Sequence, residues 1–75
     1  MMIISKSKLY RKMLFCPRLT LKVDGKKLRC GYYYNEHYKG WLLEEKSFKD
    51  ETTKGVVDYI YEKYNEVELI WSRKI

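Results

Sequence analysis

The side chains best equipped for chemistry in this chain are Cys16, Cys30, His37 and the adjacent Glu44 and Glu45. Cys16, Cys30 and His37 are its only soft metal ligands. A structural zinc site takes four ligands, usually in closely spaced pairs. None of these three is so paired, and no metal is expected. Cys30 is a candidate nucleophile, but strand alternation points it into the core, where a thiol has little reason to ionise. His37 is a candidate general base, but it falls on a turn beside Glu36, the ordinary place for a solvated polar residue. Glu44 and Glu45 are neighbours on a predicted strand and face opposite sides, so they cannot act as an acid–base pair. Asp24-Gly25-Lys26-Lys27 lacks the spacing of a phosphate-binding glycine loop. No catalytic residue, metal or cofactor is assigned, and the chain reads as a non-enzymatic binding module.

Charge is the stronger signal. Residues 1–31 carry nine basic side chains and a single acid, Asp24, for a net +8. Residues 32–75 carry seven basic and nine acidic side chains, for a net −2. Such asymmetry suggests a polyanionic partner for the basic half. A solvated surface that only keeps the protein in solution would have the same composition.

These residues must be positioned by a small framework. Seventy-five residues make a single domain, 1–75. No apolar run reaches the ~18 residues of a membrane span, and Lys6, Lys8, Arg11 and Lys12 interrupt any signal-peptide core. No membrane partner is expected, and the location is read as cytoplasmic. Residues 18–23 alternate, with Leu19, Leu21 and Val23 on one side and Arg18, Thr20 and Lys22 on the other. A turn at Gly25-Lys26 would pair Val23 with Leu28; one at Asp24-Gly25 would set Lys22 against Lys27. The first register is preferred, because directly opposed like charges are unfavourable. Strand 27–34 points Leu28, Cys30, Tyr32 and Tyr34 inward. Strand 38–46 then sets Trp41 opposite Tyr32, Leu43 opposite Cys30 and Glu44 opposite Arg29. Val56, Val57, Ile60, Tyr61 and Tyr64 form one apolar stripe on a helix over 52–64, with Asp50 or Thr52 as cap and Asn65 as its left-handed end. Val67, Leu69 and Trp71 alternate along a last strand, 67–72. Leu9/Tyr10 and Met13/Leu14 sit at helical spacing before Pro17, giving a short N-terminal helix, 7–15. The expected fold class is α+β: a three-stranded antiparallel meander (18–23, 27–34, 38–46) packed on one amphipathic helix, with a C-terminal strand and a short N-terminal helix.

This framework gathers Arg18, Lys22, Lys27, Arg29 and Tyr33 onto the outer side of the sheet. Cations neutralise phosphates, and an exposed ring stacks on a base. Gly31 leaves room for close approach of a backbone. Lys8, Arg11 and Lys12 on the first helix would add backbone contacts. The favoured partner is therefore nucleic acid, DNA or RNA. An alternative is a viral or mobile-element protein that binds and inhibits a host protein, anchored by Tyr33, Tyr38, Tyr59 and Trp71. The bias toward Lys, Tyr, Ile and Glu, with no Ala or Gln, is that of AT-rich genomes, many viral ones included. A third reading is a self-associating structural protein, a homodimer paired through its last strand.

The three strands and helix of residues 18–64, with Phe48 ahead of Thr52-Thr53 and the stripe Val56-Val57-Asp58-Tyr59-Ile60, resemble the arm-site-binding domains of phage integrases. That resemblance implies a sheet face that reads DNA; the last strand lies outside it. The order helix, three strands, helix is also similar to double-stranded-RNA-binding domains. Their Lys-Lys-x-Ala-Lys helix start is replaced here by Thr52-Thr53-Lys54-Gly55-Val56.

Overall fold

The computed structural model describes residues 3–74. The elements follow in the order α1 (Lys6–Phe15), β1 (Arg18–Val23), β2 (Lys26–Tyr34), β3 (Lys39–Leu43), β4 (Ser47–Lys49), α2 (Thr53–Lys63) and β5 (Val67–Arg73). All five strands join one antiparallel sheet in the order β4-β3-β2-β1-β5. The fold is α+β, a sheet packed on helices.

Both helices start at a hydroxyl cap. Ser5 Oγ accepts the Lys8 N–H and Thr52 Oγ1 accepts the Gly55 N–H, each filling a free donor of a first turn. Both end where the chain turns extended, at Cys16 ahead of Pro17 and at Tyr64. The α2 terminus thus needs no left-handed residue, and Asn65 does not supply one. Leu9 and Met13 of α1 and Val56, Val57 and Ile60 of α2 meet the inner sheet side chains in one core. Leu19, Leu21, Val23, Leu28, Trp41, Leu43, Phe48 and Val67 are its sheet half, each at most 2% exposed. Fully burying a side chain of this size contributes roughly 1.5–3 kcal/mol, so this layer dominates the stability of so small a domain. The buried Trp41 donates its indole N–H to Thr53 Oγ1 at 3.1 Å, which satisfies its one polar atom.

Two further expected features are corrected. The β1–β2 turn is at Asp24-Gly25, with φ 48° and 88°, and Lys22 lies opposite Lys27. Asp24 decides this. Its carboxylate accepts the backbone N–H groups of Asn65 and Glu66, at 3.1 and 2.7 Å, tying the turn to the start of β5. Charge-assisted bonds of that kind exceed the ~0.2–1 kcal/mol of a like-charge pair. The second correction divides the strand expected over 38–46. Leu43 and Lys46 exchange backbone hydrogen bonds around Glu44-Glu45, and the chain doubles back as β4. Glu45 Oε atoms accept from Tyr59 Oη, Lys63 Nζ and Tyr64 Oη, drawing this turn onto α2. Gly40 permits the tight β3–β4 approach: its φ is 141°, and a Cβ there would lie 2.3 Å from the Phe48 carbonyl oxygen. The register of β2 against β3 is as expected, Tyr32 opposite Trp41 and Cys30 opposite Leu43.

Candidate functional site

With the helices on one side, the opposite side of the sheet is open. β1 supplies Arg18, Thr20 and Lys22 to it; β2 supplies Lys27, Arg29, Gly31 and Tyr33. β3 adds the exposed Leu42 beside Gly31, and β4 adds Lys49 beyond Gly40. The contribution of β5 is the one that alternation misassigns. Leu21 pairs with Leu69 but Thr20 pairs with Trp71, so Ile70 is an extra residue in a bulge. The bulge reverses the phase of the strand. Trp71, expected beside Val67 and Leu69 on the core side, turns outward opposite Thr20 and is 52% exposed. Arg73 follows it onto the same side, opposite Arg18. No glycine or proline marks this bulge in the sequence.

The electrostatics of this face are unusual. Lys22 directly opposes Lys27, and Arg18 directly opposes Arg73. Directly opposed like charges destabilise a sheet. Among the described residues the ion pairs are Lys6–Asp58, Lys54–Asp58, Lys26–Glu45 and Lys63–Glu45, and none involves Arg18, Lys22, Lys27, Arg29 or Arg73. Two acids border the patch. Glu68 lies opposite Lys22 on β5 without forming an ion pair. Glu44 uses Oε1 to accept the Arg29 backbone N–H at 2.9 Å, so it bonds the main chain and not the guanidinium.

Tyr33 is not a free stacking platform on both faces. The Arg18 guanidinium lies 4.3 Å from its ring centroid, and Arg18 Nη1 donates to the Tyr32 carbonyl oxygen at 3.3 Å. The pair crosses directly above Gly31. A Cβ there would sit 2.9 Å from Arg18 Nη1 and 3.2 Å from the Tyr33 ring. The space over Gly31, expected to admit an incoming backbone, is filled by the protein's own side chains. Tyr34, expected inward, is the last residue of β2 and is exposed, with the Lys39 ammonium 5.6 Å from its ring.

Lys8, Arg11 and Lys12 do not join the sheet face. They are exposed on α1 and line a shallow groove of about 630 Å³ with Ile4, Phe15, Leu69 and Lys74. Apart from Lys6 and Lys26, which pair with Asp58 and Glu45, the cations of the basic half thus fall on two surfaces, which meet at the end of β5 where Arg73 and Lys74 are consecutive.

The groups weighed for catalysis stay apart. Cys16 and Cys30 are buried, His37 is exposed on the β2–β3 turn, and among the described residues no three Cys, His or carboxylate groups cluster as a metal site. Burial, aided by the negative charges of Glu44 and Glu45, pushes the Cys30 thiol up to about 12. Partial burial opposes ionisation of Glu45, but hydrogen bonds from Lys63, Tyr59 and Tyr64 outweigh it and hold the carboxyl down at about 2. Two of the aromatic anchors expected for a protein partner are engaged internally. Tyr38 Oη bonds Ser47 Oγ and the Trp41 carbonyl oxygen, while the Tyr59 ring packs on Phe48 and its hydroxyl bonds Glu45. Among the described residues, no helix is long and apolar enough to cross a membrane.

The fold and site together define a small α+β domain with an open, cation-rich sheet face backed by two helices. Comparison with protein-family models, with curated proteins and with solved structures finds no match.

Proposed function

We propose that this protein is a non-enzymatic nucleic-acid-binding module whose open sheet face receives phosphates. The observation that carries the reading is the two opposed like-charge pairs, Lys22 with Lys27 and Arg18 with Arg73, which form no ion pair among the described residues. Two destabilising pairs kept on one face, where local consistency is otherwise the rule, support a functional role for that face. A polyanion relieves both repulsions at once. Exposed apolar area at Leu42 and Trp71 lies among these cations, giving a bound nucleotide both ionic and ring contacts.

The test is binding to labelled oligonucleotides over a salt series. If Arg18, Lys22, Lys27, Arg29 and Arg73 all displace counterions, log affinity falls against log salt with a slope of about −3.5 to −4.5. That is roughly a hundred- to five-hundredfold loss between 50 and 200 mM salt. Arg29→Glu, at an exposed position, weakens binding strongly without unfolding the domain. No binding at low salt, or binding indifferent to salt, refutes the reading.

A further inference from the structure

We propose that the bound nucleic acid is single-stranded, that one base stacks on Trp71, and that the strand continues around the β5 edge into the groove beside α1. This rests on the nucleic-acid reading above and names its substrate class.

Three features carry it. First, the bulge at Ile70 places the Trp71 ring on the cationic face, and among the described residues no ring or cation packs against it. A duplex offers a protein its phosphates and the edges of its bases, whereas an unpaired strand offers base faces, which a flat indole stacks on. Second, Tyr33 is already covered by the half-buried Arg18, so the guanidinium is the plane lying over that ring. Guanidinium planes also accept stacked bases. Third, the cations lie on two surfaces. Arg73 belongs to the sheet face, while Lys74 lines the groove with Lys8, Arg11 and Lys12. The domain measures 38 × 24 × 20 Å. A rigid duplex cannot turn around the edge of so thin a body; a flexible strand can, and would engage both surfaces.

The two tryptophans provide a site-specific reporter. Trp41 is 1% exposed and sealed in the core, so quenching of tryptophan emission by a ligand reports Trp71. Wild-type protein is titrated with oligothymidylate and oligouridylate of about twelve nucleotides, with strands of about four, and with a blunt duplex of about twelve base pairs. The single strands are expected to quench emission and bind at least about tenfold more tightly than the duplex. Comparison of thymidylate with uridylate separates DNA from RNA. Trp71→Ala weakens single-strand binding about tenfold and leaves duplex binding unchanged, and Trp71→Phe restores most of the loss. Arg11→Glu combined with Lys12→Glu weakens the longer strand but not the shorter one, which the sheet face alone accommodates.

Equal affinity for strand and duplex, with no quenching and no effect of Trp71→Ala, overturns the single-strand inference while leaving phosphate binding by the sheet intact. Equal loss for long and short strands in the α1 variant overturns the path around β5. Absence of binding by any probe sinks the underlying function, a result distinct from both.

Discussion

Lys27→Glu should make the protein more stable and less able to bind. Lys27 is exposed and its Cα partner is Lys22; Glu68 lies on the far side of Lys22, but neither lysine forms an ion pair among the described residues. Reversing its charge turns a repulsive cross-strand pair into an attractive one. Each such pair is worth roughly 0.2–1 kcal/mol, and solvent screening on an open face favours the lower half. The expected gain is about 0.5–1 kcal/mol, which raises the thermal midpoint of a domain this size by roughly 2–8 °C. Binding responds in the opposite sense. One phosphate-facing cation is lost and an anion gained, so affinity should fall about tenfold and the salt slope should lessen by about 1. Thermal denaturation followed by circular dichroism gives the first quantity, and fluorescence anisotropy with a labelled oligonucleotide across salt gives the second. A variant that is less stable and binds equally well refutes the reasoning. The repulsion would then be absent, and the patch would be irrelevant to the ligand.

Two further outcomes follow from the buried and bonded groups. The Glu45 carboxyl titrates at about 2 in the folded protein against an ordinary value of 4.5, so its folded pKa is the depressed one. Its stabilisation is therefore complete above pH 4.5 and is lost as pH falls toward 2. The unfolding free energy from urea titrations should drop across that window by no more than about 1–2 kcal/mol after screening, and Glu45→Gln should flatten the drop; an unchanged profile in that variant contradicts the assignment. With Cys30 buried and its thiol raised to about 12, iodoacetamide near neutral pH should leave it unmodified until denaturant is added; rapid native alkylation contradicts its placement.

The parts of the fold legible in the sequence are those fixed by near neighbours. β1 and α2 carry clean periods of two and 3.6, and the β2–β3 register was written in Tyr32 with Trp41 and Arg29 with Glu44. The errors come from contacts distant in sequence. Asp24 sets the β1–β2 turn by bonding Asn65 and Glu66, more than forty residues away, and no hairpin rule contains that bond. Glu45 similarly folds the end of β3 back by reaching Tyr59, Lys63 and Tyr64. The cationic side of β1 and β2 was readable because alternation alone decides it. The reach of Trp71 and Arg73 onto that side was not, since a one-residue bulge in Val67–Arg73 leaves no mark in side-chain type. Lys8, Arg11 and Lys12 were found as a helical group, but their separation from the sheet face depends on how α1 packs, which no local pattern states.

The extra residue in β5 has a second effect, on how copies of this protein meet. A border strand bearing exposed Ile70 and Trp71 would ordinarily be a place where neighbouring molecules zip into fibres. Here its first part is already occupied, since Ile3 bridges to Glu68 and the Ile4 N–H bonds the Val67 carbonyl oxygen. At Ile70 the even spacing of free amide groups is broken, and a flat incoming strand finds no matching ladder. The irregularity that turns Trp71 outward thereby also interrupts the rim of the sheet at which a further strand would pair.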